Sequence, residues 1–193
     1  MASAPTGIVN SALTLLGEPT INSLTDDSDV ARAANAVWSD VRDEVLAQHP
    51  WNGCVKQVAL AKLAGTPLMM YTYQYVYPTD CLRILAVDDD SYPWKIIVGT
   101  DGQSKVILSD APTLIIEYIF RQTNVSRYGA WLSLSLAKRM AAELAMTLTQ
   151  HLGKAGAFMQ AYQLQLGIAK TTDGQEQSTS EIVSTTLTTD VRL

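Results

Sequence analysis

Chemistry-bearing residues are scarce in this 193-residue chain, which has two cysteines, Cys54 and Cys81, and two histidines, His49 and His151. The cysteines form no CxxC pair and stand near no histidine cluster, which argues against a structural metal site. In a reducing compartment they are expected as free thiols rather than a disulfide. Neither histidine belongs to an HExxH motif, and no GxSxG elbow occurs. Each histidine is expected to sit near a helix end, where an imidazole complements the negative pole. Ser104, in GQSK, falls in an expected turn, and Gly99, Gly102 and Lys105 lack the GxxxxGK[ST] spacing of a phosphate-binding loop. No catalytic residue, metal ligand or cofactor is expected.

Charge is also in short supply. Charged residues make up 17% of the chain, against roughly 25% in typical soluble domains. A subunit covered by neighbours would show such a deficit, because interface cores are depleted in charge. A neutral surface rich in Thr, Ser and Gln would show it equally, and both readings stand. The balance is 19 acidic against 14 basic residues, net −5. With no run of lysines or arginines, specific affinity for nucleic acid is not expected. Long apolar runs are missing too: the most apolar window, 58–77, is interrupted by Lys62, Gly65, Pro67 and Gln74, so no membrane span is expected. No basic residue precedes Arg32, so a secretory signal is not expected and the chain is expected in the cytoplasm.

What is present is periodicity. Ile8, Val9, Ala12, Leu13 and Leu16 recur at helical steps, Gly17 suits a left-handed stop, and Pro19 forbids continuation. Asp26, Asp27 and Ser28 offer capping oxygens to a second helix starting near residue 27, and Asp29 suits its positive end. Val30, Ala34, Val37, Trp38, Val41 and Val45 form its apolar face until Pro50 closes it before Trp51. After Ser126 the helical period returns. Ala137, Met140, Ala141, Leu144 and Leu148 make one stripe, with Arg139 and Glu143 spaced for an ion pair. Gly153 permits a break, and Ala155, Phe158, Met159, Tyr162, Leu166 and Ala169 make a second stripe, which predicts an antiparallel helical hairpin.

Between the helices the period becomes alternating, with strands expected at 55–60, 69–77, 82–87, 94–98, 105–108 and 114–120. Residues 99–102 read as the hairpin turn joining the fourth and fifth. The expected fold class is α+β: an antiparallel helical bundle built from N- and C-terminal helices, with an inserted small antiparallel β subdomain and an extended C-terminal arm. The expected boundaries are 1–51 for the first half of the bundle, 52–125 for the β subdomain, 126–171 for the second half and 172–193 for the arm. The arm is polar apart from Ile182, Val183, Leu187, Val191 and Leu193. It is β-prone, so it either adds as a strand to a neighbour's sheet or stays disordered.

Two further patterns stand out. Tyr71, Tyr73, Tyr75 and Tyr77 alternate, so one extended strand would put four rings on one face, either as a subunit interface or as an aromatic ladder packed on the subunit's own helices. Asp88, Asp89 and Asp90 lack the ligand spacing of a calcium loop and read as a solvated turn.

The order ALxxLG, a proline, INSL, an acidic cap, an alanine-rich helix with Trp38, and HPW at 49–51 resembles the tail tubular protein A family, the head-to-tail adaptors of short-tailed bacteriophages. The similarity continues at YQYVYPTDCLRI (73–84), EYIFRQTN (117–124) and LAKRMAAELAMTLTQ (136–150). Each block is structural, and their shared order carries the resemblance. Residues 88–113 and the last 20 or so show no family pattern. The resemblance implies a virion protein of the neck, assembled in the host cytoplasm. It would be a homo-oligomeric ring of about twelve copies, with the portal protein above and the tail nozzle protein below, forming part of the DNA ejection channel. DNA would pass without specific binding, and an acidic wall would repel the duplex. In such a ring the arm, through Ile182, Val183, Leu187, Val191 and Leu193, would meet the portal, and Asp88, Asp89 and Asp90 would line the lumen or face the tail. Two alternatives remain open: a tail-associated carbohydrate-active or cell-wall hydrolase using carboxylates among Glu117, Asp80 and Asp88 to Asp90, and a monomeric binding module.

Overall fold

The computed structural model describes residues 5–149 and 152–176. His151 and the arm residues Ile182, Val183, Leu187, Val191 and Leu193 lie outside the described residues. The protein is an α+β fold. Helices α1 (Pro5–Leu16), α2 (Asp29–Ala47), α3 (Ala130–Thr149) and α4 (Leu152–Gln175) share one core. Strands β1 (Val55–Ala59), β2 (Tyr73–Val76), β3 (Cys81–Val87), β4 (Trp94–Val98), β5 (Lys105–Ser109) and β6 (Ile115–Phe120) fall between α2 and α3.

The helix boundaries follow local chemistry. Gly17 takes φ +80°, and the Glu18 N–H donates to Leu13 O at 3.0 Å, closing the last turn of α1. Ser28 caps α2, its Oγ accepting from the Ala31 N–H at 3.2 Å. Asp26 does not cap; its carboxylate accepts the Asn22 and Ser23 N–H groups and shapes the preceding loop. Asn10 ties that loop to α1, bonding both the carbonyl and the N–H of Ile21 at 2.8 and 2.9 Å. Helix α2 buries Ala31, Ala34, Trp38, Val41, Val45 and Leu46. Trp51 then folds back, its indole N–H donating to Val45 O at 3.0 Å. Helix α3 is the hub, packing against α1, α2 and α4. Along it Leu132, Leu136, Ala137, Met140, Ala141, Leu144 and Ala145 are buried, and from α4 Tyr162, Leu166 and Ala169 meet them. The expected Arg139–Glu143 pair forms at 2.7 Å, and Arg139 also reaches Glu44 on α2 at 2.8 Å. Helix α4 runs to Gln175, so residues 172–175, which composition assigned to the arm, are helical.

The strands form two antiparallel three-stranded sheets, β1-β6-β3 and β2-β5-β4. The chain beyond β1 joins them: the Leu63 N–H donates to Gln74 O at 2.8 Å and the Val76 N–H to Ala61 O at 3.0 Å, with a bridge between Lys62 and Tyr75. Tyr75, Ile107, Leu114, Ile116 and Tyr118 make a second core within this unit. Gly102, at φ +69°, turns the β4–β5 hairpin, while the Asp101 carboxylate accepts the Gln103 and Ser104 N–H groups at 3.0 Å. The expected strand at 69–77 is shorter than the alternation predicted. Met70 has φ +62°, incompatible with a strand. The Asp110 carboxylate holds the end of the resulting loop through the Thr72 N–H and hydroxyl, both at 2.8 Å.

Candidate assembly interface

The four tyrosines do not form one exposed face. Tyr75 is 0% exposed, with its hydroxyl donating to Ala111 O at 2.5 Å. Tyr73 and Tyr77 pack at the edge of the same core, and Tyr71 lies in the loop before β2. Three of the rings therefore serve the β unit's own interior, which removes Tyr75 from any surface. They are not packed on the helices either, because the core they fill lies in the β unit. Lysines close over the outer rings, Lys62 Nζ standing 3.8 Å from the Tyr73 ring centre and Lys105 Nζ 5.5 Å from that of Tyr77.

The three aspartates after β3 are exposed and separately employed. The backbones of Asp88 and Ile115 are joined by the Asp88 N–H donating to Ile115 O, and the Asp88 carboxylate takes the Ile115 N–H, each at 3.0 Å. Asp89 accepts from the Ser91 hydroxyl and N–H, which holds its carboxyl below the usual range. Asp90 follows in the turn. Among the described residues no group of three or more His, Cys, Asp and Glu side chains could hold a metal ion.

The other acidic groups of the β block are tied into structure. Asp80 pairs with Lys56 at 2.6 Å and accepts the Tyr118 hydroxyl at 3.0 Å. Burial alone would raise its carboxyl, yet the Lys56 and Tyr118 contacts outweigh that and hold it below the ordinary value. Glu117 accepts the Gln57 amide at 2.7 Å across the β1–β6 pair.

Sequence reading missed a latch at the junction of bundle and sheet. His49 Nε2 lies 3.0 Å from Asp173 Oδ2 on the last turn of α4. The Asn52 N–H donates to the same carboxylate at 3.2 Å, and the Asn52 amide to Asp173 O at 3.0 Å and Glu176 Oε2 at 3.3 Å. His49 therefore makes a contact 124 residues distant in sequence rather than a purely local cap. Cys54 sits beneath the latch, fully buried, its thiol pushed up to about 12 by burial and then by the Asp173 charge. Both cysteines are free. A lone Asp in a polar helix end gave no sequence signal of this role.

The surface itself is unusually apolar in places. On α4, Leu164 is 74% exposed and Ile168 is also exposed, while Gly156 and Gly167 face open space. The outer side of this helix thus carries two exposed aliphatic side chains among polar ones such as Gln160 and Gln163. A shallow hollow of about 180 Å3 lies between α1 and α3, lined by Gly7, Ser11, Ser133, Leu134 and Ala137. In the β unit, Leu68 and Met70 are 87% and 88% exposed, with Met69 beside them, and Trp94, Ile96 and Val98 of β4 are exposed. Among the described residues no helix is long and apolar enough to cross a membrane. The chain matches no protein-family model and no curated protein sequence.

Proposed function

We propose that this chain is a structural virion protein, a ring-forming head-to-tail adaptor between the portal and the tail nozzle of a short-tailed bacteriophage, forming part of the DNA ejection channel. The observation that carries the reading is the apolar surface left uncovered on unlike parts of one chain. Leu164 and Ile168 lie on α4, a small-residue hollow lies between α1 and α3, and Leu68 to Met70 stand beside β4. Unlike surfaces meeting under a repeated rotation make a ring when the rotation closes. The ordered resemblance of four sequence blocks supplies the second support. The low charge and net −5 fit a subunit covered by neighbours around a channel that repels phosphate. In this reading the arm engages the portal, and Asp88 to Asp90 border the lumen or the tail.

Light scattering of the purified protein, alone and mixed with portal, tests the reading. A ring in either condition supports it; a monomer that ignores the portal overturns it and returns the question to the binding-module and hydrolase readings. Deleting residues 177–193 is expected to leave a folded subunit that no longer attaches to portal-bearing capsids.

A further inference from the structure

Strands β3 and β4 each end a sheet, and their outer edges differ. The pairing of β3 with β6 is broken by register shifts between Cys81 and Arg83 and between Ile84 and Ala86. Such bulges twist an edge away from further pairing. By contrast, β4 pairs with β5 without interruption from Trp94 to Val98. It contains no proline, carries one charge, Lys95, and exposes Trp94, Ile96 and Val98. A regular, largely apolar edge without a bulge is the kind that accepts another strand. Beside it the Met70 backbone, at φ +62°, props up an apolar loop. Leu68, Met69 and Met70 together with Ile97 and Val98 line a hollow of about 460 Å3. A left-handed methionine holding its side chain in water is a strain with no intrachain return.

We propose that β4 takes residues 182–186 of a second copy of this chain as an added strand. This deepens the ring reading and rests on it. Residues Ile182, Val183, Ser184, Thr185 and Thr186 match the five residues of β4 in length, and all but Ser184 are β-branched. Glu181, which precedes them, is opposite in sign to Lys95, the single charge of β4. The described chain leaves at Glu176, held by Asn52 beside Gly53 and Val55, where the first sheet begins. The residues 177–181 that follow span at most about 18 Å. The chain's own β4 is the last strand of the other sheet, and because a heterologous ring joins unlike surfaces of neighbouring copies, the acceptor is assigned to a neighbour. The pairing takes Ile182 and Val183 out of the portal contact and leaves Leu187 to Leu193 to reach the portal.

The test uses full-length chains with Cys81→Ser. One carries Lys95→Cys, and the other carries Ser184→Cys, Thr185→Cys or Thr186→Cys in turn. The two are assembled together, oxidised and separated without reductant. Strand addition gives cross-linked pairs of chains whose yield alternates, with positions 184 and 186 behaving alike and 185 differently. Adding Val98→Lys, at a site 57% exposed, lowers that yield about tenfold by charging the edge. Cross-linking without alternation overturns the inference, as does a chain carrying both Lys95→Cys and Thr185→Cys that links only within itself, at monomer mass. Rings by light scattering with no cross-link overturn it while leaving the ring reading intact. Monomers with no cross-link, alone and with portal, overturn both.

Discussion

In the helical bundle, apolar side chains from all four helices converge on one cluster that also takes in Trp51, Cys54 and Tyr128. In the β unit a smaller cluster is built around tyrosines, and much of the remaining apolar surface, from Leu68 to Met70 and along β4, stays outside. The bundle supplies a cohesive interior because helical stripes can turn inward from several directions at once. A short sheet has two faces and two edges, and only one face can meet its own core. Stability therefore resides mainly in the bundle, while the β unit and the outer side of α4 carry most of the exposed large apolar side chains.

Alkaline pH should act on both regions at once and have the largest effect. Burial raises the Cys54 thiol from 9.0 to about 12 and the Tyr162 hydroxyl from 10.0 to about 12, and pushes Tyr128 and Tyr77 well up. The folded chain keeps these groups neutral after the unfolded chain has begun to lose their protons. Their stabilisation is therefore complete below pH 9 and is lost as pH rises toward 12. Urea midpoints measured from pH 7 to 11 should fall steadily above 9; a flat profile would show that the two interiors admit water.

Trp51→Ala tests the bundle alone. Removing a ring that is 1% exposed should cost about 3–5 kcal/mol in chemical denaturation. Asp173→Ala removes the latch and should cost about 2 kcal/mol, since it leaves Asn52 and His49 without their carboxylate partner. The same change lowers the Cys54 thiol by removing the charge that helps raise it. Faster thiol labelling at pH 9 in the folded variant would confirm the connection, and an unchanged rate would break it. In the β unit, Tyr75→Phe leaves the Ala111 carbonyl without its donor and should cost about 1–2 kcal/mol. A loss as large as that of Trp51→Ala would erase the contrast between the two cores. Gly167→Ala has the smallest effect: a Cβ there meets open space, so the isolated subunit should gain about 0.5–1 kcal/mol. Weaker assembly of the same variant would place this face of α4 in a subunit contact.

Much of the fold was legible in the residues. The stop at Gly17, the cap at Ser28 and the turn at Gly102 each depend on a backbone need met within a few residues. The six strands stand where alternation placed them, save for 69–77, where a regular sequence pattern masked a loop that Met70 turns. The site was less legible. Four alternating tyrosines read as one face, but Tyr75 is committed to Ala111, a partner far along the chain that periodicity cannot name. The latch from Asp173 to His49 and Asn52 was invisible for the same reason.

Spacing over a few residues dictates the helical stripes, the caps and turns, most strand positions and the absence of familiar catalytic motifs. Which apolar residues face inward and which remain outside is set by the packing of distant segments. The tertiary structure alone shows Leu164 and Ile168 on the outer side of a helix already packed within, and Trp94, Ile96 and Val98 on an edge with no bulge to protect it. Burial belongs to the sum of contacts from distant segments, and no local pattern carries that sum.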